Sequence, residues 1–212
     1  MNRDVHTVFA GLEDANLEHY TRYWKDITPT NNADRFRRWL FAFCSVHTTW
    51  EGNIRGYDAL KDLAWLGDDP ELLRRLRASG CGLYNNRTRF ISAFSVDYWA
   101  RPQDFVPASG ESWRACRDRL EDRITGLGLA KTSFALELLA PTEAKLACLD
   151  VHMLRLYNRD PLKLKPKQYA QCELDWVQRA HDIGTAPYMA RMVWWDNMQG
   201  QRDSRYWSKV FE

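Results

Sequence analysis

Apolar side chains return at intervals of three and four over residues 36–43, 54–65, 90–99, 134–139, 154–157 and 176–183. That spacing lines one face of an α-helix, and the two-residue alternation of a half-buried strand is almost absent. Glycine, proline and small polar residues break the pattern at 67–70, 79–82, 102–110, 126–128, Pro141 and 160–166. The chain therefore reads as all-α, with about nine or ten short helices joined by short loops. Caps sharpen several helix starts: Asn85 or Asn86 ahead of Phe90, Ser109 ahead of Glu111, and Asp150 ahead of Val151. Each can accept a free amide of a first turn. Residues 101–110 are the best candidate for a flexible connection, against the plainer reading of an ordinary surface loop.

With 212 residues, 45% of them hydrophobic, the chain can bury one sizeable core. This predicts one domain over 1–212, or two helical lobes sharing a cleft. The formal charge of +2 is too balanced to mark a nucleic-acid binder by composition, so any basic surface must be local. No apolar run approaches the roughly 20 residues that span a bilayer, and the opening MNRDVHTVF lacks the apolar centre of a signal peptide. A soluble cytoplasmic protein with no membrane partner is expected. The five cysteines, Cys44, Cys81, Cys116, Cys148 and Cys172, have no CxxC spacing, so reduced, mostly buried thiols are predicted, with no disulfide framework and no metal site. Trp50, Trp99, Trp113, Trp176, Trp194, Trp195 and Trp207 lie in helix-like stretches. Most are expected in the core, and one or two in a pocket.

The most informative segment reads RLEDRITGLGLAKTSFALELL over residues 119–139: a helix, a glycine hairpin and a second helix, spanning about 117–139. Gly126 and Gly128 allow a tight turn and close backbone approach. The amides of Gly126, Leu127, Gly128 and Ala130 are then free to hold a DNA phosphate, a contact that positions DNA without reading its sequence. The segment is no Walker loop, because the four-residue spacer before GK[ST] is missing. Pro141 ends the second helix, and ACLDVHMLR follows over 147–155, with Asp150 at a helix start.

This ordered combination resembles the helix-hairpin-helix signature of the HhH-GPD DNA glycosylase superfamily. Two further blocks extend the resemblance. FAFCSVHTTWEGN (41–53) is similar to the buried helix and turn that read LLSAQTTD in the endonuclease III family, and GLYNNRTRFI (82–91) to that family's GLYN-x-K/R segment. The resemblance spans residues 36–158 and fades from Arg159 onward. It implies two helical lobes flanking a cleft, and catalysis by Asp150, Lys131 and His47. An aspartate at the position of Asp150 supports glycosidic cleavage, and a lysine after the hairpin attacks the sugar carbon to form a Schiff base. It also implies that Trp50 and Glu51 stack on and hydrogen-bond a flipped base, that His152 and Trp194 contribute to the same pocket, and that Asn85 and Arg87 contact DNA.

Three features depart from the family pattern. Lyase members read GxGxK, whereas GLGLAK sets Lys131 one residue late. Either the lysine is rotated by about 100° off the catalytic face, or the hairpin carries a one-residue insertion that restores it. His47 stands where glutamine is common, in a helix expected to help form the base pocket, and suits either recognition and proton transfer or a satisfied place in the core. The four spaced C-terminal cysteines of an iron-sulfur motif are missing, so no cofactor is expected. In their place residues 186–196 form an aromatic helix that either closes the pocket or packs the N-terminal helix onto the domain.

Three functions follow from the resemblance. The leading expectation is a phage-type hypermodification enzyme, because GLGLAKTSFALELL followed by CLDVHMLRLY looks like the alpha-glutamyl/putrescinyl thymine pyrophosphorylase (amino acid:DNA transferase) group. That likeness implies that an amino acid or polyamine displaces pyrophosphate from activated 5-hydroxymethyluracil in double-stranded DNA, within the host cytoplasm. The alternative is a repair glycosylase, with or without AP lyase activity, excising a damaged or modified base. The third is a non-catalytic DNA-binding module that keeps the hairpin.

Overall fold

The helical pattern is realised in a computed structural model that describes residues 4–200 and 208–211. Among these residues the chain is all-helical and no strand occurs. The helices are α1 (Val5–Ala10), α2 (Asp14–Asp26), α3 (Asn32–Cys44), α4 (Trp50–Asp58), α5 (Asp69–Ser79), α6 (Tyr84–Ala100), α7 (Trp113–Arg123), α8 (Leu129–Leu139), α9 (Val151–Leu156), α10 (Pro166–Asp182), α11 (Pro187–Met198) and α12 (Ser208–Phe211). A single 3-10 turn, Pro102–Phe105, lies between α6 and α7. No helix among the described residues is long and apolar enough to cross a membrane.

The expected helix over 54–65 stops early. It ends at Asp58, and residues 59–66 run as turns in which the Trp65 indole N–H donates to the Leu60 carbonyl at 2.8 Å. Leu60 and Trp65 are buried, so the spacing reported which side chains are inside rather than a continuous helix. Two caps also shift. Ser112, not Ser109, caps α7 by accepting from the Ala115 amide at 3.1 Å. Leu83 precedes α6 in a left-handed conformation, which leaves Asn85 and Asn86 inside the first turns.

The chain divides into two compact units, one made of residues 29–139 and the other of residues 1–28 with 140–212. In the first, α3 is the central helix and packs against α4, α6 and α8. Its Phe36, Trp39 and Phe43 gather around Phe94 of α6, at ring separations of 5.6, 5.4 and 5.1 Å. Burial of each large aromatic contributes about 1.5–3 kcal/mol, so this cluster is a substantial part of the unit's core.

In the second unit α11 is the buried helix, and α2 and α10 pack on it. Trp24 sets its edge on Tyr188 at 4.9 Å, the Tyr20 hydroxyl donates to Asp196 at 2.7 Å, and the Trp176 indole N–H donates to the Pro187 carbonyl at 3.0 Å. Of the two readings of the aromatic helix, its packing on the N-terminal helices is the one seen directly. The five cysteines are free and buried, and burial pushes the Cys44 and Cys116 thiols up to about 12.

Residues 101–111 are pinned rather than flexible. Phe105 is buried, Arg119 grips the Glu111 carboxylate through two bonds of 2.8 and 2.7 Å, and it also donates to the Asp104 carbonyl at 2.7 Å. Arg123 closes the other side on Asp97 and Asp104. The Arg119 guanidinium holds the Glu111 carboxyl down to about 2. A depressed carboxylate contributes stability that is complete above its unfolded value and is lost as pH falls through its folded one. Glu111→Gln is therefore expected to lower stability by about 1–2 kcal/mol at neutral pH. Urea titrations should show that deficit closing as the pH falls from about 4.5 towards 2. A deficit independent of pH would remove the ion pair as its cause.

Candidate functional site

The glycine hairpin joins α7 to α8, and its two glycines serve different ends. Gly126 has φ +97°, and a Cβ there would lie 2.4–2.9 Å from three carbons of Phe90. Leu127 is buried and anchors the turn, so only its backbone can face a ligand. Gly128 is exposed and outside the positive-φ region, with nothing within 4 Å of a Cβ added to it. No contact among the described residues demands glycine there. The Lys131 and Thr132 amides both donate to the Gly128 carbonyl, at 2.9 and 3.0 Å. Those of Leu129 and Ala130, in the first turn of the 11-residue α8, have no acceptor among the described residues. Two free amides at a helix N-terminus beside an unobstructed glycine can take an anion such as a phosphate.

A cavity of about 220 Å³ lies beside the hairpin, between the end of α3 and the start of α6, and Gly126 forms part of its wall. His47 and Leu83 line it, and both hold left-handed backbone, with φ of 47° and 49°. Such non-glycine residues store about 1–3 kcal/mol of strain each, so the surrounding structure must impose them. His47 is neither on the helix nor in the core: α3 ends at Cys44, and the imidazole is exposed. Leu83 is 47% exposed at the tip of its turn, a position that sequence reasoning did not single out. The signal was the glycine just before it, which marks a turn without saying which neighbour it exposes.

Arg87 does not reach outward as the resemblance implied. It is 3% exposed, and its guanidinium donates to the carbonyls of Gly82 at 2.9 Å, Val46 at 2.5 Å, Cys81 at 3.4 Å and Phe43. A buried guanidinium must be matched by acceptors, and here they are backbone carbonyls of two separate turns. Arg87 thus fastens the end of α3 to the loop before α6. Asn85, by contrast, is exposed on the first turn of α6.

Lys131 is half-buried on α8, with Nζ 5.3 Å from the centre of the Phe134 ring. Phe134 meets Phe41 at 6.1 Å, and Phe41 meets Trp50 at 5.9 Å. Lys131 therefore lies on the face of α8 turned towards α3, joined to Trp50 through two rings. Glu51 is exposed at the start of α4, and bonds to its own amide and to Thr49 hold its carboxyl below the usual range.

Asp150 and His152 belong to the other unit. Asp150 caps α9: its Oδ1 accepts the His152 amide at 2.9 Å and the Met153 amide at 3.0 Å, while Oδ2 has no donor among the described residues. One oxygen thus orients the carboxylate, leaving the other available for chemistry. His152 is exposed and meets Trp195 edge-on at 5.3 Å. Trp194, the expected pocket residue, is 5% exposed and part of the core, and half-buried Trp195 is the one beside His152. Adjacent residues on a helix point about 100° apart, so a Trp-Trp pair announces one inward and one outward ring without saying which. Trp207 lies outside the described residues.

No family model matches the sequence, and no curated protein matches it. Solved structures do match. The 8-oxoguanine DNA glycosylase of Thermotoga maritima is 23% identical, with a TM-score of 0.69 over 90% of each chain. That of Methanocaldococcus jannaschii is 20% identical, with a TM-score of 0.69 over 90% of this chain and 88% of its own. The 8-oxoguanine glycosylase/lyase of the same organism, in complex with a 15mer DNA containing 8-oxoguanine, is 21% identical with a TM-score of 0.71, over 89% of this chain and 91% of its own. The fold is that of the helical DNA glycosylases.

On this glycosylase fold the hairpin glycines are separable by stability alone. Gly126→Ala combines a forbidden φ with overlap against Phe90, and is expected to cost about 2–4 kcal/mol. Gly128→Ala should change stability by no more than about 0.5 kcal/mol. Denaturant melts of the two variants measure the difference, and equal losses would contradict the assignment of Gly126, and not Gly128, to packing.

Proposed function

We propose that the protein is a DNA glycosylase that removes a damaged base from duplex DNA, with an oxidised purine of the 8-oxoguanine type as its first substrate to test. The observation that carries this reading is the fold, shared over nine-tenths of the chain with 8-oxoguanine glycosylases. The local geometry suits the chemistry. The oriented carboxylate of Asp150 offers Oδ2 to the positive charge that develops on the sugar as the glycosidic bond breaks. The Lys131 amine attacks C1′ as the base leaves with a proton; the C1′–O4′ bond then breaks to give an imine and a ring hydroxyl, and β-elimination of the 3′ phosphate from that imine opens the strand. This role for Lys131 requires the one-residue insertion in the hairpin rather than a rotated lysine. The free amides of Leu129 and Ala130 hold a phosphate, and exposed Leu83 is an apolar side chain able to enter the stack vacated by an extruded base.

The amine-transfer reading gives way to this one. The three structures compared above are 8-oxoguanine glycosylases, and no observation favours an amino acid or polyamine co-substrate over a water or lysine nucleophile. A passive DNA-binding module would use Asp150 only as the cap of α9, and is disfavoured by a fold shared with enzymes.

The test uses duplex DNA carrying single modified bases, with mass spectrometry of released bases and retained nucleosides, and borohydride trapping. Expected are a released oxidised purine and a trapped covalent complex, the latter lost in Lys131→Gln. Asp150→Asn should lower the excision rate by about 10²-fold or more. Gly128→Val should weaken DNA binding across all sequences alike. A heavier retained nucleoside, with no free base and no trapped complex, would overturn the reading in favour of transfer.

A further inference from the structure

We propose that the segment from Arg155 to Lys167 is a second DNA-contact surface, one that binds duplex phosphates flanking the extruded nucleotide and takes no part in the chemistry; this rests on the glycosylase reading above. The first observation is charge. Residues 151–168 carry five basic side chains, Arg155, Arg159, Lys163, Lys165 and Lys167, against the single acid Asp160, whereas the entire chain carries a formal charge of only +2. Everything outside this segment is therefore net negative.

The second observation is pairing. Elsewhere the ion-paired arginines are spread along the chain, Arg37 with Asp34, Arg75 with Asp62, Arg119 with Glu111, Arg123 with Asp97 and Arg179 with Asp175, and exposed cations without an acid among the described residues, such as Arg22 and Lys25, are interspersed with acidic residues. In this segment Arg155, Lys165 and Lys167 are exposed and have no carboxylate partner among the described residues. Lys163 has only a long contact of 3.9 Å to Asp160, with its side chain 86% exposed. Unpaired, solvated cations concentrated in one stretch of an otherwise balanced protein fit a polyanion.

The third observation is attachment to the site. Arg155 is on α9, the six-residue helix that Asp150 caps, and α9 is only about 9 Å long. The lysine loop is held to the same place from its other end. Tyr169, in the first turns of α10, accepts the Leu149 amide at 3.2 Å and donates to the Ala147 carbonyl at 3.3 Å, immediately before Asp150. Tyr157 closes the loop by donating to Asp175 of α10 at 3.0 Å. The basic segment is thus fixed to the backbone that presents Asp150, and leaves it within a distance that a few nucleotides of DNA strand cover. A duplex with its extruded sugar at Asp150 brings flanking phosphates over these side chains.

The test is the triple variant Lys163→Gln/Lys165→Gln/Lys167→Gln in the full chain, with Arg155→Gln as a second variant and Arg22→Gln/Lys25→Gln on α2 as the control. Anisotropy of a duplex containing a tetrahydrofuran abasic analogue is followed between about 50 and 200 mM salt. Each phosphate contact contributes about 0.9 to the slope of log K against log salt, so the triple variant should lose about 2–3 from the slope, Arg155→Gln about 1, and the control nothing. Shortening the duplex on one side of the analogue should weaken the wild type and leave the triple variant little changed. Equal slopes for the wild type and triple variant, with unchanged melting temperatures, overturn the proposal, as does a wild type that binds no DNA. The glycosylase reading is decided separately by base release and trapping, so the two can fail independently.

Discussion

Phe90 and residue 126 compete for the same space. Only a glycine with positive φ lets the hairpin lie against the Phe90 ring, and this contact ties the α7–α8 turn to α6. The start of α6 is in turn tied to the end of α3 by Arg87, whose guanidinium bonds to carbonyls on both sides. Hairpin, cavity wall and the left-handed turns at His47 and Leu83 thus form one mechanical unit. Removing the contact at Gly126 would leave the first turn of α8, with its free amides, without a fixed position.

The buried cation in this unit has a physical logic. A guanidinium taken out of water is costly unless its donors are met, and the cost rises when the partners can move away. Backbone carbonyls at two chain turns are satisfactory acceptors because each carries two lone pairs and so can take a guanidinium N–H beside any local bond. The arrangement stabilises two strained residues that would otherwise relax, and the strain falls on the side chains that line the cavity. Strain of this kind is maintained where a turn must present a particular side chain.

In the other unit the same economy of polar groups appears around Asp150. Its Oδ1 accepts two amides at the start of α9, so capping and orientation of the carboxylate are one interaction. Tyr169 and Glu173, both on α10, bind the chain just before it: the tyrosine at Ala147 and Leu149, and the glutamate at the Ala147 amide at 3.3 Å. The segment carrying the candidate catalytic carboxylate is thereby braced by a 17-residue helix whose own buried face includes Cys172 and Trp176. Rigid support of this type is what a preorganised electrostatic site needs.

The sequence by itself determined the all-helical class, the helix-hairpin-helix between α7 and α8, and the capping role of Asp150. Each depends on residues within a few positions of one another: a three-to-four-residue spacing, a GxG turn, an oxygen two and three residues before free amides. Direction was decided by tertiary structure. Arg87 turns inward because distant Phe43 and Val46 offer carbonyls, and which of Trp194 and Trp195 is buried depends on how α11 is rotated among the helices packed on it. His47 leaves the helix because α3 ends at Cys44, and the spacing over 59–66 belongs to turns because the Trp65 indole bonds back to Leu60. Local sequence specifies which backbone hydrogen bonds are available, but a side chain's orientation minimises the burial and pairing energy of groups far away in the chain, and those become neighbours only on folding.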